Sequence, residues 1–262
     1  GSLAGRRIGQ DFSGKDGWSM YHGETVPGFP RHPHRGFETV TVVRRGLIDH
    51  ADSLGAAARY GQGDAQWLTA GDGINHAEMF PLVNRDKENH LDLFQIWLNL
   101  PRKNKRVKPY FSMLWAQSIP TVTRLDSQGR RGEASLIAGR LDGKQSPPPP
   151  PNSWAADPRS DLAIWTIKLA SHAHWTLPRV PVGVSRALYV VSGSGIELAG
   201  RSVQSRHQLI LQEEVEVPLA AGARETELLL LQGRPIGEPI ARHGPFVMNT
   251  REEIVQAYAD YR

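Results

Sequence analysis

The sequence predicts an all-β protein of two domains, each a sandwich or barrel, finished by a short C-terminal helix. Three observations carry this. Pro30-Arg31-His32-Pro33-His34 returns as Pro178-Arg179-Val180-Pro181-Val182, the same frame with each histidine replaced by valine, and each copy leads into a β-type run ending at a glycine (Gly46, Gly193). A repeat spacing of about 150 residues is a domain's length, so we place the domains at 1–120 and 121–262. Gly 26 and Pro 19, with 39% hydrophobic and 22% charged residues, suit a turn-rich β protein better than a helical one. Finally, Thr250-Arg251-Glu252-Glu253 is a capping box just before the chain ends.

In order along the chain, the elements read as follows. From Phe37 to Trp97, β-branched and apolar runs alternate with turns at Gly46, Asp52-Ser53-Leu54-Gly55, Gly61-Gln62-Gly63-Asp64 and Gly71-Asp72-Gly73. Strands punctuated at this spacing build a sandwich or barrel. Pro101 and the basic run Arg102-Lys103-Asn104-Lys105-Arg106-Val107-Lys108 end this module. A second strand series starts near Glu133–Gly139 and resumes at Leu162–Ile167, interrupted by Pro147 to Pro151. Consecutive prolines cannot join a β ladder, so they form a polyproline surface loop. Ile254, Val255, Tyr258 and Tyr261 follow the capping box at helical spacing and are expected to pack back onto the sheets.

Composition excludes several classes. Zero cysteines remove disulfides, iron–sulfur clusters and thiolate zinc sites, leaving His, Asp and Glu as the strong metal ligands. No apolar run reaches the roughly 18 residues of a membrane helix, and no signal segment opens the chain, so a cytoplasmic protein without membrane partners is expected. Gly1-Ser2 reads as an expression scar, so a native N-terminal segment is expected to be missing. The net charge of +4 is modest. No aromatic residues interleave the basic run, which reads as a solvated loop, and specific nucleic-acid binding is not expected.

The chemistry concentrates in two short motifs. His32 and His34 lie two apart, so on an extended segment both imidazoles share a face while Pro33 points away. His76-Ala77-Glu78 repeats that spacing after the Gly71-Asp72-Gly73 turn, and two neighbouring strands would aim three imidazoles and one carboxylate at a common point. A lone His-x-His is weak evidence, and His172-Ala173-His174 is a decoy: no His-x-Glu strand follows it.

At these residues the chain resembles the pirins, a family of the cupin superfamily. The resemblance rests on Phe29–Val40, on Gly63–Met79 with its Gly-Asp-Gly-Ile-Asn-His-Ala-Glu-Met ending, and on Gly244-Pro245-Phe246-Val247-Met248-Asn249-Thr250. It implies a bicupin, two stacked cupin-type β-barrels, with one metal in the N-terminal barrel and a metal-free C-terminal barrel. The metal is Fe(II) by that resemblance, with Mn, Co, Ni, Cu or Zn as alternatives, and the ligands carry over to His32, His34, His76 and Glu78. General cupins commonly take the glutamate from the first motif, here Glu38. The pirin pattern places it at Glu78, leaving Glu38 either behind the ligands as a support or in the barrel wall.

Three neutral imidazoles and one carboxylate leave a divalent ion with a formal charge of about +1, and an octahedral ion keeps two open positions. A four-coordinate zinc would instead be closed and structural. Because pirin-like proteins include quercetin 2,3-dioxygenases, the resemblance implies a dioxygenase acting on a small aromatic, flavonol-like substrate and O2 with release of carbon monoxide, Glu78 being the catalytic proton acceptor. The competing reading is an iron-binding, redox-sensing regulator that works through a protein partner without turnover. A monomer is preferred.

Overall fold

The alternation read along residues 37–97 becomes six strands of two four-stranded antiparallel sheets, each sheet completed by one strand from outside that range. In this computed structural model the described residues are 27–261, together with two short paired strands, Gln10–Asp11 and Met20–Tyr21. Gly1-Ser2 lies outside the described residues. One sheet takes the order Tyr110–Leu114, Ala65–Thr69, Phe37–Arg45, Asp92–Asn99, and the other the order Gly28–His34, Ile74–Met79, Leu47–Asp52, Ala57–Gly61. Their inward faces bury Val43, Ile48, Tyr60 and Phe80 in one cluster and Leu68, Ala70 and Ile74 in another.

The chain divides into two compact units, Gly1–Ala116 with Glu238–Arg262, and Gln117–Gly237. The second has a six-stranded antiparallel sheet ordered Thr121–Leu125, Arg131–Ala138, Ala163–Leu169, Thr226–Gly233, Ser185–Ser192, His207–Ile210. A four-stranded sheet, His174–Leu177, Val217–Ala221, Ile196–Leu198, Arg201–Val203, faces a core that includes Leu136, Trp165, Ile167, Leu188 and Leu230. Pro147 to Pro151 lie outside any strand, as expected, although Pro150 is buried.

The C-terminal segment departs from a single cut at residue 120. The hairpin Ala241–His243/Phe246–Met248 and the helix Arg251–Asp260 belong to the first unit rather than to the second. What draws them there is specific: Arg35 Nη1 donates to Asp260 Oδ2 at 2.6 Å, its guanidinium lies 5.4 Å from the Tyr261 ring centre, and Val247 N donates to the Arg35 carbonyl at 3.0 Å. The capping box forms in both directions, with Glu253 N donating to Thr250 Oγ1 and the Glu253 carboxylate accepting from Thr250 N. The helix buries Ile254 and Ala257 against Phe246 and Met248. Val255, expected on that face, is 68% exposed, because one residue advances the helix by about 100° and turns it off the Ile254 stripe.

The basic run is also not wholly solvated. Lys105 is 1% exposed, and its ammonium donates to the Gly36 carbonyl (2.8 Å), Asn99 Oδ1 (2.6 Å) and the Val247 carbonyl (3.0 Å). Three N–H donors meet three acceptors, which is what admits a lysine to the interior.

Candidate metal centre

His32 and His34 sit on Gly28–His34 and His76 on Ile74–Met79, adjacent antiparallel strands in which His32 lies directly opposite His76. Burial alternates along Ile74–Met79, so Ile74, His76 and Glu78 all point inward. The register shifts between Phe29 and His32, leaving an extra residue on the first strand. Such a bulge falls naturally beside Pro30, which has no N–H for the ladder, and it re-aims the side chains that follow. Gly36 closes the strand end at φ +83°, where a Cβ would collide with the Val247 carbonyl. Only glycine fits there without strain.

The three imidazoles converge: their ligand atoms all lie within 4.8 Å of one another, and this is the only such group of three or more His, Asp or Glu among the described residues. His32 Nε2 stands 3.1 Å from His34 Nε2 and 3.0 Å from His76 Nε2. The outer ring atoms decide what those inner nitrogens are. His32 Nδ1 is 2.7 Å from the Pro30 carbonyl and His34 Nδ1 is 3.3 Å from the Pro245 carbonyl. A carbonyl only accepts, so both Nδ1 atoms carry the proton and both Nε2 atoms present lone pairs inward. Facing lone pairs repel unless a cation lies between them. Backbone carbonyls that fix tautomers in this way are the usual outer partners of metal-bound histidines.

Electrostatics agree with that donor set. Burial pushes the His34 imidazole down to about 3, with His32 acting in the same direction and the Pro245 carbonyl opposing it. Burial lowers His76 as well, reinforced by His34, His32 and His50, and lowers His32 against the Pro30 carbonyl. All three rings are therefore neutral, the form that coordinates. The one unsatisfied outer atom is His76 Nδ1, buried without a partner.

Glu78 is 2% exposed and stands two residues beyond His76 on the same inward face, outside the group of three imidazoles. Gln95 Nε2 donates to its Oε2 at 2.9 Å, whereas its Oε1 makes no hydrogen bond of good geometry, although the Thr41 hydroxyl lies close enough to act on the carboxyl. Burial pushes this carboxyl up to about 7. An orphaned carboxylate oxygen on the face that carries three inward Nε2 atoms, two of them fixed as lone pairs, fits a divalent cation better than it fits a packed core. Glu38 is placed differently. It alternates with Phe37, whose ring packs 5.1 Å from His34, so Glu38 points to the other face of its strand and accepts from Thr69 Oγ1 at 2.7 Å. His172 and His174 are exposed and belong to no such cluster among the described residues.

Several residues around the site carry no motif in the sequence. Trp97, 43% exposed, packs 4.3 Å from Phe37 and 5.8 Å from His34, ring centre to ring centre. His50 lies 5.4 Å from the His76 ring and stacks on Phe111. It bridges Asp52 Oδ2 (3.0 Å) and the Gln66 amide (2.8 Å), which holds its orientation. The signal available in the sequence was strand parity, since His50 alternates with Asp49 and Ala51, but parity alone does not say which barrel residue it meets.

Residues 7–98 match the family model described as Pirin, and residues 164–262 match the one described as Pirin C-terminal cupin domain. A Pseudomonas aeruginosa protein named "Putative quercetin 2,3-dioxygenase" is 39% identical over 235 residues, covering 89% of this chain and 77% of its own length. Pirin of Mus musculus is 34% identical over 247 residues, covering 92% of this chain and 79% of its own. The crystal structure of quercetin 2,3-dioxygenase from Acinetobacter baumannii matches with a TM-score of 0.78 at 34% identity, over 90% of this chain and 78% of that one. No helix among the described residues is long and apolar enough to cross a membrane.

Proposed function

Because the chain belongs to the pirin family, we propose that it is a metal-dependent dioxygenase of small, flavonol-type aromatic substrates, consuming O2 and releasing carbon monoxide. The observation that carries this reading is the set of three inward imidazole nitrogens beside a buried carboxylate with one free oxygen. His32, His34, His76 and Glu78 are the residues that would hold the ion, with Fe(II) first and Mn, Co, Ni, Cu or Zn as alternatives. A divalent ion in this position supplies Lewis acidity that eases ionisation of a phenolic or enolic hydroxyl.

The chain's own residues do the rest. The Pro30 and Pro245 carbonyls hold two imidazoles in the tautomer that keeps their lone pairs at the site. Gln95 occupies Oε2 of Glu78, so a substrate proton passes to Oε1, the oxygen left without a partner. Trp97, partly exposed and braced by Phe37, offers a flat apolar surface on which a planar ring system stacks. Ring opening takes up one O2 per flavonol and expels one carbon as CO.

The test is metal-loaded protein with quercetin in aerated buffer, measuring O2 uptake, flavonol loss and CO release together. Metal-free protein and His34→Ala control for autoxidation by free metal, and Glu78→Gln removes the proton acceptor. The expected result is CO release by wild type well above all three. If wild type gives no CO above those controls with several flavonols and with Fe, Mn, Co, Ni and Cu in turn, the reading falls and a regulatory, partner-binding role replaces it.

A further inference from the structure

The polar groups behind His76 form a hydrogen-bond chain with a single direction. Asp52 Oδ2 lies 3.0 Å from His50 Nε2, and both side chains are fully buried. A carboxylate only accepts, so Nε2 carries the ring proton. Burial outweighs the pull of Asp52 and keeps a second proton off the ring, which leaves a lone pair on Nδ1. Gln66 Nε2 therefore donates to Nδ1 at 2.8 Å, and Gln66 Oε1 is turned toward Tyr60, whose hydroxyl donates to it at 3.2 Å. Every hydrogen in this chain points toward Asp52 and none toward the candidate metal centre.

The direction matters because the chain ends beside Glu78. Ile48 and His50 share the inward face of Leu47–Asp52, with Tyr60 paired opposite Ile48 and Glu78 opposite His50. The Thr41 hydroxyl acts on both the phenol and the carboxyl, and the Glu78 charge adds to burial in holding the Tyr60 proton in place. A buried phenol so placed would ordinarily give its hydrogen to the carboxylate, by itself or through Thr41. Here that hydrogen is already committed to Gln66. Oε1 of Glu78 consequently makes no hydrogen bond of good geometry, and its lone pairs stay available.

We propose that Asp52 sets the direction of this chain, and that Asp52, His50, Gln66 and Tyr60 are positioning residues that keep the phenolic hydrogen off Glu78 so that its free oxygen can meet the ion. This rests on Glu78 being a ligand, as proposed above, and not on the substrate or the reaction. The direction is fixed at the Asp52 end, where Oδ1 accepts from Leu54 N at 2.8 Å and from Ala56 N at 3.2 Å. In Asp52→Asn those two donors would hold the amide oxygen, so the amide N–H would face His50 Nε2. The ring proton would then move to Nδ1, Gln66 would turn its NH2 to Tyr60, and the phenolic hydrogen would swing toward Thr41 and Glu78. A change of one atom at the far end thus reverses the chain.

Nitrogen NMR of the metal-free full chain and equilibrium dialysis with Co(II) test this. The His50 ring should carry its proton on Nε2 in wild type and on Nδ1 in Asp52→Asn. Asp52→Asn should weaken Co(II) about tenfold in the wild-type background, but no more than about twofold in a Tyr60→Phe background, where no phenolic hydrogen remains to redirect. Gln66→Leu frees the same hydroxyl by cutting the chain. It should weaken Co(II) with the same rescue by Tyr60→Phe, and it carries the test if Asp52→Asn does not fold. A His50 ring that keeps its Nε2 proton in Asp52→Asn, no Co(II) loss in either variant, or an equal loss with and without the Tyr60 hydroxyl would each overturn the proposal while Glu78→Gln still weakens Co(II). Glu78→Gln binding Co(II) as tightly as wild type would withdraw Glu78 as a ligand, and the proposal with it.

Discussion

Replacing Lys105 by methionine probes how the candidate metal centre is braced. The ammonium serves three acceptors at 2.6 to 3.0 Å, and two of them flank the site: Gly36 follows His34 by two residues, and Val247 follows Pro245, whose carbonyl holds the His34 ring, by two. Methionine keeps the volume of the stem and removes every donor. Each buried acceptor left without a partner costs about 1–3 kcal/mol, and no longer desolvating an ammonium returns part of the sum, so the net loss should be about 3 kcal/mol. Urea unfolding with hydrogen exchange on the Phe37–Arg45 amides reads the first unit separately from the second. We expect a lower midpoint at unchanged m. Co(II) affinity should fall about 10–100-fold, as when an outer partner of a metal ligand is lost. A stability change below about 1 kcal/mol with unaltered Co(II) affinity would show that the three contacts brace nothing.

The same lysine sets a pH dependence. Burial pushes its ammonium from 10.5 down to about 8, so between these values the unfolded chain binds more protons than the folded one. Wild-type stability should therefore rise with pH across that window and level off below it, relative to Lys105→Met, and a falling difference would contradict the assignment. Thr250→Ala removes the oxygen that caps Glu253 N and should cost about 1 kcal/mol, seen as a lower melting temperature and faster amide exchange in the last helix. His34→Ala should abolish stoichiometric Co(II) binding in equilibrium dialysis, and His174→Ala should leave it unchanged; equal effects would remove the distinction between the two pairs.

What the sequence makes legible here is what neighbouring residues decide. The i, i+2 spacing of His32 and His34 and of His76 and Glu78 sets a shared face on each strand, and the structure shows that face for both pairs. The capping box at Thr250 is equally local. Contacts between distant segments were not legible. A cluster of cations in the chain reads as surface, yet Lys105 finds its acceptors at positions 36, 99 and 247. Nothing near residue 250 announces that the helix beyond it will pack beside Arg35, because that pairing depends on Asp260 and Tyr261 meeting a guanidinium 225 residues earlier. Trp97 and Gln95 join the site through strand pairing in one sheet, which a periodic pattern does not specify.

The discontinuous path of the first unit has a consequence for how the protein matures. His34 and the Pro245 carbonyl that orients it are 211 residues apart in the chain. At about 5–20 residues per second, Pro245 leaves the ribosome roughly 10–40 s after His34. During that interval the nascent barrel has its histidine pair but not the acceptor that locks one of the rings, and the Gln117–Gly237 unit is synthesised in between. Metal captured early would meet a ring free to turn; metal captured after the tail docks would meet a fixed one. Tight loading of an ion would thus wait until the Pro245 segment has been made and has docked.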